Sequence, residues 1–430
     1  MANHRKSESG IVLIITLWII VVLSTLALAY VRQVNLEIKM IGFQRDTAIV
    51  DSLANAGLQQ ALILLREDKI KDMGENVKET FMRFDENDTY QYDGGNEAWA
   101  HGQIGNRNLY VDVPFYEQDR RVGYYYVQVE DETSKFPINN PATNLDMIAH
   151  LLETTGVDQD DARSLAGAIM DWRDPDEAVT DTGGRTQSGD LTDEYTFYNG
   201  QSGFGRGSRR QGLPKTFIKN GPLDSIDELL LIPGMRPEIV YGTVDPDAQQ
   251  QRGRRRGRGG RNEYLGLKNF VSVFTQTINL NTVKPEVLEA ILYPTQGDQA
   301  QTIAENWVQY RDGQDGETYT EDDQALRTED HSDMGDTSFT QVRSFPPDLF
   351  QKYRNFFTIY SDLFVVTSLA EYEGIEKGYR AVVQRSFSRW DQLPMFGYDT
   401  NKLEDLEQVH IMVRLFEPLY DARQRIERMS

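Results

Sequence analysis

Near its start this chain carries 21 consecutive residues without a charge, Ile11 to Val31 (IVLIITLWIIVVLSTLALAYV), closed by Arg32. At 1.5 Å per residue a helix of that length reaches about 30 Å, the thickness of a bilayer's hydrocarbon core. The segment before it, Met1 to Gly10, is short and polar, with Arg5 and Lys6 as its cations. Those cations bias the amino terminus to the inside and the bulk of the chain to the far side.

The apolar pattern continues past Arg32. Leu36, Ile38, Ile41, Val50, Leu53, Leu58, Leu62 and Leu65 follow with roughly helical spacing, with no proline and only Gly42 and Gly57 as weak points. One helix from Ile11 to about Arg66 is therefore expected, apolar first and amphipathic afterwards. Three readings fit its start. It can be a plain signal anchor. It can be a secretory signal peptide, since Ala27-Leu28-Ala29 fits an A-x-A cleavage site. The third reading rests on the junction: a basic leader ending in Gly10, followed directly by an uncharged helix, resembles the class III signal of type IV pilins and pseudopilins. That resemblance implies cleavage between Gly10 and Ile11 by a prepilin peptidase and methylation of the new amine on Ile11.

Composition narrows the classes open to the remainder. The chain has 430 residues, 45 Lys+Arg against 67 Asp+Glu, a net charge of -22 and no cysteine. The length allows about two or three domains. A mean hydropathy of -0.55 excludes a polytopic membrane protein, and 10% aromatic residues is too many for a wholly disordered chain. Without cysteine there is no disulfide scaffold, thiol nucleophile or Cys-ligated metal. The acid excess opposes nucleic acid as the main partner, because that binding neutralises phosphates. Five scattered histidines (His4, His101, His150, His331, His410) make no HxxxH or HxH pair. GxSxG, Walker A and GxGxxG motifs are missing too, and the chain reads as no enzyme.

Along the body, Leu109-Tyr-Val-Asp-Val-Pro and Gly123-Tyr-Tyr-Tyr-Val-Gln-Val-Glu read as strands. From Pro141 to about Met235 the pattern is helical: Leu145 to Leu152, Asp160 to Trp172 and Ser225 to Leu231, with Thr143 or Asn144, Asp158 and Asp224 as N-cap candidates. A Gln/Arg/Gly stretch, 249–261, interrupts it. Phe270 to Ile278 reads as a strand, Pro285 to Leu292 and Gln301 to Arg311 as helices, and Phe357 to Leu369 with Tyr379 to Phe387 as an antiparallel pair.

Four blocks in this body resemble, in order, those of the K-type minor pseudopilins of type II secretion. Asp131-Glu132-Thr133-Ser134-Lys135-Phe136-Pro137-Ile138-Asn139-Asn140 resembles "DE.GK.NLN", and Ala168 to Asp176 (AIMDWRDPD) resembles "LLDW.DPD". Asn220 to Leu229 with Ile232-Pro233-Gly234-Met235 resembles "N.PL.S.DEL..V.GM", and Ile278 to Thr282 with Pro285 to Leu288 resembles "INLNTA.PEVL". Most pseudopilins have Phe first and Glu fifth after the cut; here Ile11 and Ile15 stand there, and the missing Glu matches the K type. The resemblance implies an α+β fold: a pilin-like long N-terminal helix packed on an antiparallel sheet, with a large inserted α-helical (helix-hairpin-helix/SAM-like) domain. The expected division is a leader 1–10, a transmembrane part 11–31, an amphipathic part 32–68, a pilin-like domain from 69–135 and 355–430, and an insertion 136–354 holding a basic linker 249–261 and an acidic loop 312–336.

Between Asp171 and Glu194 stand eight acids (Asp171, Asp174, Asp176, Glu177, Asp181, Asp190, Asp193, Glu194) against two arginines. Such a loop is either solvated or bound to a cation, and hard oxygens suit Ca²⁺; the spacing is not that of an EF-hand. K-type pseudopilins bind calcium in the loop after "DW.DPD", so the resemblance implies calcium held by Asp174, Asp176, Asp193 and Glu194, with Asp181 and Asp190 as further candidates. The second acidic run, Asp312 to Asp336, reads as a solvated insertion. The tract 251–261 (QRGRRRGRGGR) is read as a linker attracted to its acidic neighbours, though such tracts also bind RNA or anionic surfaces.

The resemblance further implies a place at the pseudopilus tip in the bacterial inner membrane, with the bulk of the chain periplasmic. Its partners would be the I- and J-type minor pseudopilins, the major pseudopilin and the prepilin peptidase, with no nucleic acid. The rival is a type IV pilus minor component or an envelope-anchored helix-hairpin-helix protein of DNA uptake, because Leu231 to Met235 and Asn281 to Leu288 also look like hairpin turns.

Overall fold

A run with no proline from Glu8 to Phe81 lets every interior amide keep its i→i−4 bond, and the chain forms one helix over that whole length. The computed structural model describes residues 8–81, 93–95, 97–101, 111–117, 120–180, 194–199, 218–243, 263–314, 316, 323–326, 349, 352–353, 355–387 and 409–419. The main elements in chain order are α1 (Glu8–Phe81), β1 (Val111–Glu117), β2 (Arg120–Asp131), α2 (Leu145–Thr154), α3 (Gln159–Arg173), α4 (Pro285–Gln296), α5 (Gln299–Arg311), β3 (Leu363–Tyr372), β4 (Ile375–Phe387) and β5 (Val409–Pro418). The helix runs beyond the expected end at Arg66, and neither Gly42 nor Gly57 breaks it.

Two halves of α1 meet different surroundings. From Val12 to Val31 its large apolar side chains are exposed, Trp18 by 69% and Leu13 by 70%, and no described residue covers them. Among the described residues this is the one helix long and apolar enough to cross a membrane. From Val50 one face is buried. Val50, Leu53, Ala54, Leu58, Ala61 and Leu65 recur at steps of three and four and are buried on the sheet. Each large apolar side chain in that stripe contributes roughly 1.5–3 kcal/mol by leaving water. Gly57 sets how closely the helix approaches: a Cβ there would meet Ser368 Oγ at 2.3 Å and Val127 Cγ2 at 2.8 Å. Ser368 uses that proximity to donate its hydroxyl to the Ala54 carbonyl at 2.7 Å. Lys377 and Tyr379 of β4 reach Asp51 at 2.7 and 2.8 Å.

The sheet is a five-stranded antiparallel meander in the order β1-β2-β3-β4-β5. Strand β2 pairs with β3 from Gly123↔Tyr372 to Asp131↔Phe364, so everything from Glu132 to Asp362 is inserted between two neighbouring strands. That insertion has its own core, in which α2, α3, α4 and α5 bury Leu151, Leu165, Ile169, Val287, Ile291 and Trp307. The Trp307 indole donates to the Leu280 carbonyl at 2.9 Å.

The α+β architecture expected from the sequence is the one observed, with local differences. Asn144, not Thr143, caps α2, accepting from the Met147 amide at 3.1 Å. Asp158 makes no side-chain cap bond on α3. Ser225 rather than Asp224 caps the 3₁₀ turn Ile226–Leu231, because the Asp224 carboxylate is taken by Lys219. Phe270 to Ile278 is not one strand: only Val271–Ser272 and Ile278–Asn279 are extended pairs, each parallel to a partner. Phe357–Thr358 pairs with Ile278–Asn279, and Phe356, Phe357 and Ile359 are buried in the inserted core. The insertion therefore ends at Asp362 rather than at 354. Part of the second acidic run is docked rather than solvated: Asp312 is paired with the buried Arg311 at 2.7 Å, and the Leu326 amide donates to Asn281 at 2.7 Å. The linker 249–261 lies outside the described residues.

Candidate metal centre

Two groups of three acids each bring one carboxylate oxygen within 4.8 Å of the others: Asp68, Asp93 and Glu97, and Asp174, Asp176 and Glu194. The first sits where the insertion leaves the sheet. Arg385, fully buried on β4, donates to Asp68 at 2.7 Å and to Asp93, and its guanidinium lies over the Phe364 ring at 4.6 Å. Glu97 accepts from the Gly94 amide at 2.9 Å and the Trp99 indole at 3.0 Å. Asp131, beside them, receives the Thr133 amide at 2.7 Å, the Ser361 hydroxyl at 2.6 Å, the Asn279 amide and the Thr282 hydroxyl. Burial pushes its carboxyl up to about 6 against the Ser361, Thr282 and Thr133 donors, with the Asp93 charge adding to the rise. Every acid here already has donors, so this cluster ties the insertion to the pilin-like body and needs no ion.

The second group is built differently. Helix α3 ends where Pro175 cannot continue it, and the Asp174 amide closes its last turn on the Met170 carbonyl at 2.9 Å. Asp176 Oδ1 accepts from the Ala178 amide at 2.7 Å, an Asx turn that reverses the chain. The buried Asp171 draws the loop back, taking the Thr180 amide at 2.8 Å on one oxygen and the Tyr198 hydroxyl at 2.6 Å on the other. The Glu194 amide donates to the Glu177 carbonyl at 3.1 Å, which brings the short helix Glu194–Asn199 against the end of α3.

This leaves acceptors without donors. Asp174 Oδ1 and Glu194 Oε1 are shielded from solvent and have no hydrogen-bond partner, and Glu194 is 2% exposed. Among the described residues no ion pair falls on Asp171, Asp174, Asp176 or Glu194. The nearby cations are committed elsewhere: Arg173 spans the carbonyls of Ile138, Asn140 and Thr143, and Lys219 holds Asp224 and Glu228. Desolvation, then the charges of Asp171, Asp174 and Asp176, push the Glu194 carboxyl up to about 8. Desolvation and the charges of Asp176 and Asp171 push Asp174 up to about 6. Burial raises Asp171 as well. Orphaned carboxylate oxygens converging from two segments, with no ion pair to them among the described residues, suit a hard divalent cation taking 6–8 oxygens.

Of the residues singled out from the sequence, Asp174, Asp176 and Glu194 are brought together; Asp181, Asp190 and Asp193 lie outside the described residues. Asp171 and Tyr198, which hold the loop in shape, were not legible as partners, because no local spacing pairs a helix residue with a hydroxyl 27 positions on. Gly10 and Ile11 fall in the first turns of α1, and Ile15 faces outward on its apolar surface, 52% exposed. The hairpin-like turn at Asn281–Thr282 is buried, and Thr282 gives its hydroxyl to Asp131, so that turn presents nothing to a phosphate.

A membrane-length helix that continues onto an antiparallel sheet, split by a helical insertion with an acidic loop, defines an α+β protein with an added helical domain. No curated protein matches this chain. Residues 129–242 match the model of the family described as "Type II secretion system (T2SS), protein K". Among solved structures, the crystal structure of the GspK-GspI-GspJ complex from the enterotoxigenic Escherichia coli type 2 secretion system is similar at 16% identity. That likeness covers 87% of this chain and 98% of the other, with a TM-score of 0.47.

Proposed function

We propose that this subunit sits at the tip of the type II secretion pseudopilus, helps to start its assembly with I- and J-type minor pseudopilins and the major pseudopilin, and carries a structural calcium ion in its inserted domain. The observation that carries the tip assignment is the protein K family match within residues 129–242, on a chain whose α1 leaves its apolar side chains from Val12 to Val31 exposed. A lone carboxylate in lipid is costly unless paired. Ile15, where other pseudopilins hold Glu, therefore suits a subunit with no neighbour ahead of it. The insertion emerges between β2 and β3, as a bulky end-piece would.

Processing would remove residues 1–10 after Gly10, leaving Ile11 as a methylated amino terminus anchored in the inner membrane, with the sheet and insertion periplasmic. Calcium, when bound, would supply the positive charge that Asp174, Asp176 and Glu194 lack, with Asp193, Asp181 and Asp190 as further candidate ligands. Asp171 and Tyr198 hold the two limbs of the loop in register. The ion's work is structural: it closes a loop that no disulfide can close in a chain without cysteine.

Mass spectrometry of the mature protein tests the processing: N-methyl-isoleucine at Ile11 is the expected terminus, and a start at Tyr30 would overturn the reading. Co-purification with I- and J-type minor pseudopilins tests the tip complex, and its failure with both partners would remove the tip assignment.

A further inference from the structure

We propose that Asn220 supplies a further ligand to the acidic centre, its side-chain amide oxygen joining those of Asp174, Asp176 and Glu194 from a third segment of the chain. The inference rests on the calcium reading above and adds a residue to it. Among the described residues only Asn220 and Glu373 have positive φ without being glycine, and Asn220 stands at 49°. Asparagine tolerates that left-handed conformation better than most side chains, but something must hold it there. The next amide, Gly221 N–H, donates to the Trp172 carbonyl at 3.2 Å, pinning this segment to the end of α3.

The side chain is oriented as well. Asn220 Nδ2 donates to the Asp176 carbonyl at 2.7 Å. That contact fixes which way the amide faces, since a flipped group would set two carbonyl oxygens against each other. Asn220 Oδ1, the other arm of that amide, is shielded from solvent and without a donor. Asp174 Oδ1, Glu194 Oε1 and Asn220 Oδ1 are orphaned acceptors on three separate stretches, and the bonds from Asn220 Nδ2 to the Asp176 carbonyl and from the Glu194 amide to the Glu177 carbonyl tie those stretches to the loop after α3. An arrangement made only of acceptors suits a hard cation better than it suits water, which would also need to accept. Lys219, the adjacent cation, is held by Asp224 at 2.7 Å and Glu228 at 2.9 Å and does not fill that role.

The test uses the full chain in detergent, with Ca²⁺ titrated by calorimetry and Tb³⁺ as its luminescent stand-in, excited through Tyr198 and Trp172. Luminescence lifetimes in H₂O and D₂O count the waters on the bound ion. Asn220→Gly keeps the left-handed backbone and removes the oxygen. It is expected to add one water to bound Tb³⁺ and to weaken Ca²⁺ by about tenfold or more, the scale that even outer-shell partners reach. Asn220→Asp keeps an oxygen in place and is expected to retain the wild-type water count and bind at least as tightly. An unchanged water count in Asn220→Gly, or loss of binding in Asn220→Asp, overturns the role of Asn220 and leaves the calcium centre standing. A wild-type chain that binds neither ion removes the centre itself, and this proposal with it.

Discussion

The two acidic triads of this chain have the same geometry and opposite chemistry. Asp68, Asp93 and Glu97 converge as closely as Asp174, Asp176 and Glu194 do, yet the first set is saturated by Arg385, the Trp99 indole and the Gly94 and Ser361 amides. The second set has no ion pair among the described residues and two orphaned oxygens. Convergence of carboxylates therefore does not mark a metal site by itself. What marks it is convergence after the protein's own donors have been counted. The placement differs in the same sense. The saturated cluster lies between α1, the sheet and the insertion, whereas the unsaturated one closes the loop after α3.

The comparison is broken most severely at Arg385. Arg385→Met should strand Asp68 and Asp93 in a dry site and cost about 3–5 kcal/mol, the usual penalty for unpairing a buried charge. Denaturant unfolding measures it, and a loss under about 1 kcal/mol would mean that the junction does not depend on this ion pair.

Calcium should act only on the other triad. At a hundred times its dissociation constant it should stabilise the native chain by about 2.7 kcal/mol, read as a rise in melting temperature. Glu194→Gln should raise the melting temperature of the calcium-free protein by relieving crowded carboxylates, and should remove most of the calcium response. A full calcium response in Glu194→Gln would exclude Glu194 as a ligand.

Protons should mimic the ion. Glu194 at about 8 and Asp174 at about 6 both lie above their ordinary values, so the folded state binds protons more readily than the unfolded one. Without calcium, stability should rise as pH falls through 8 and then through 6, and be lost again as pH rises through those values. Asp131 contributes with the same sign near 6, so the interval from pH 9 to 7 reports on Glu194 alone among these groups. Saturating calcium should flatten or reverse that slope; melting curves at several pH values that show no difference would contradict the assignment.

The smallest effect sharpens the contrast from the junction side. Glu97→Gln keeps an oxygen for the Gly94 amide and the Trp99 indole and should cost only about 1 kcal/mol, with the calcium response unchanged. A calcium response reduced by that substitution would make the junction a second metal site.

Much of this was legible in the sequence for reasons that can be named. The continuity of α1 to about Arg66, its uncharged first third and the burial of its 50–65 stripe follow from periodicity over a long proline-free run, the strongest local signal a chain can carry; its extension to Phe81 carried no such signal. Helices α2, α4 and α5 were visible for the same reason. The short parallel pairs at Phe136, Val271, Ile278 and Phe357 were not, because two-residue strands in a helical core have no periodicity to read. The Phe357 to Leu369 stretch reads as one strand by composition. Its first half is held in the inserted core, and the chain turns at Ser361, whose hydroxyl goes to Asp131.

The candidate site divides in the same way. Its acids were legible as a dense run after a helix stop, and the resemblance to K-type pseudopilins gave that run a use. Which acids are neutralised was not legible, since the answer lies in Arg385, 292 residues from Asp93, and in Arg173 turning to backbone carbonyls rather than to the loop. By itself the sequence determined a membrane-length helix, an α+β body, an acidic loop after α3 and the absence of any disulfide. Only the tertiary structure decided which carboxylates keep a counter-charge and which are left waiting for one. The physical reason is that hydrogen-bond satisfaction is a property of the whole neighbourhood, and neighbourhoods are assembled by long-range packing.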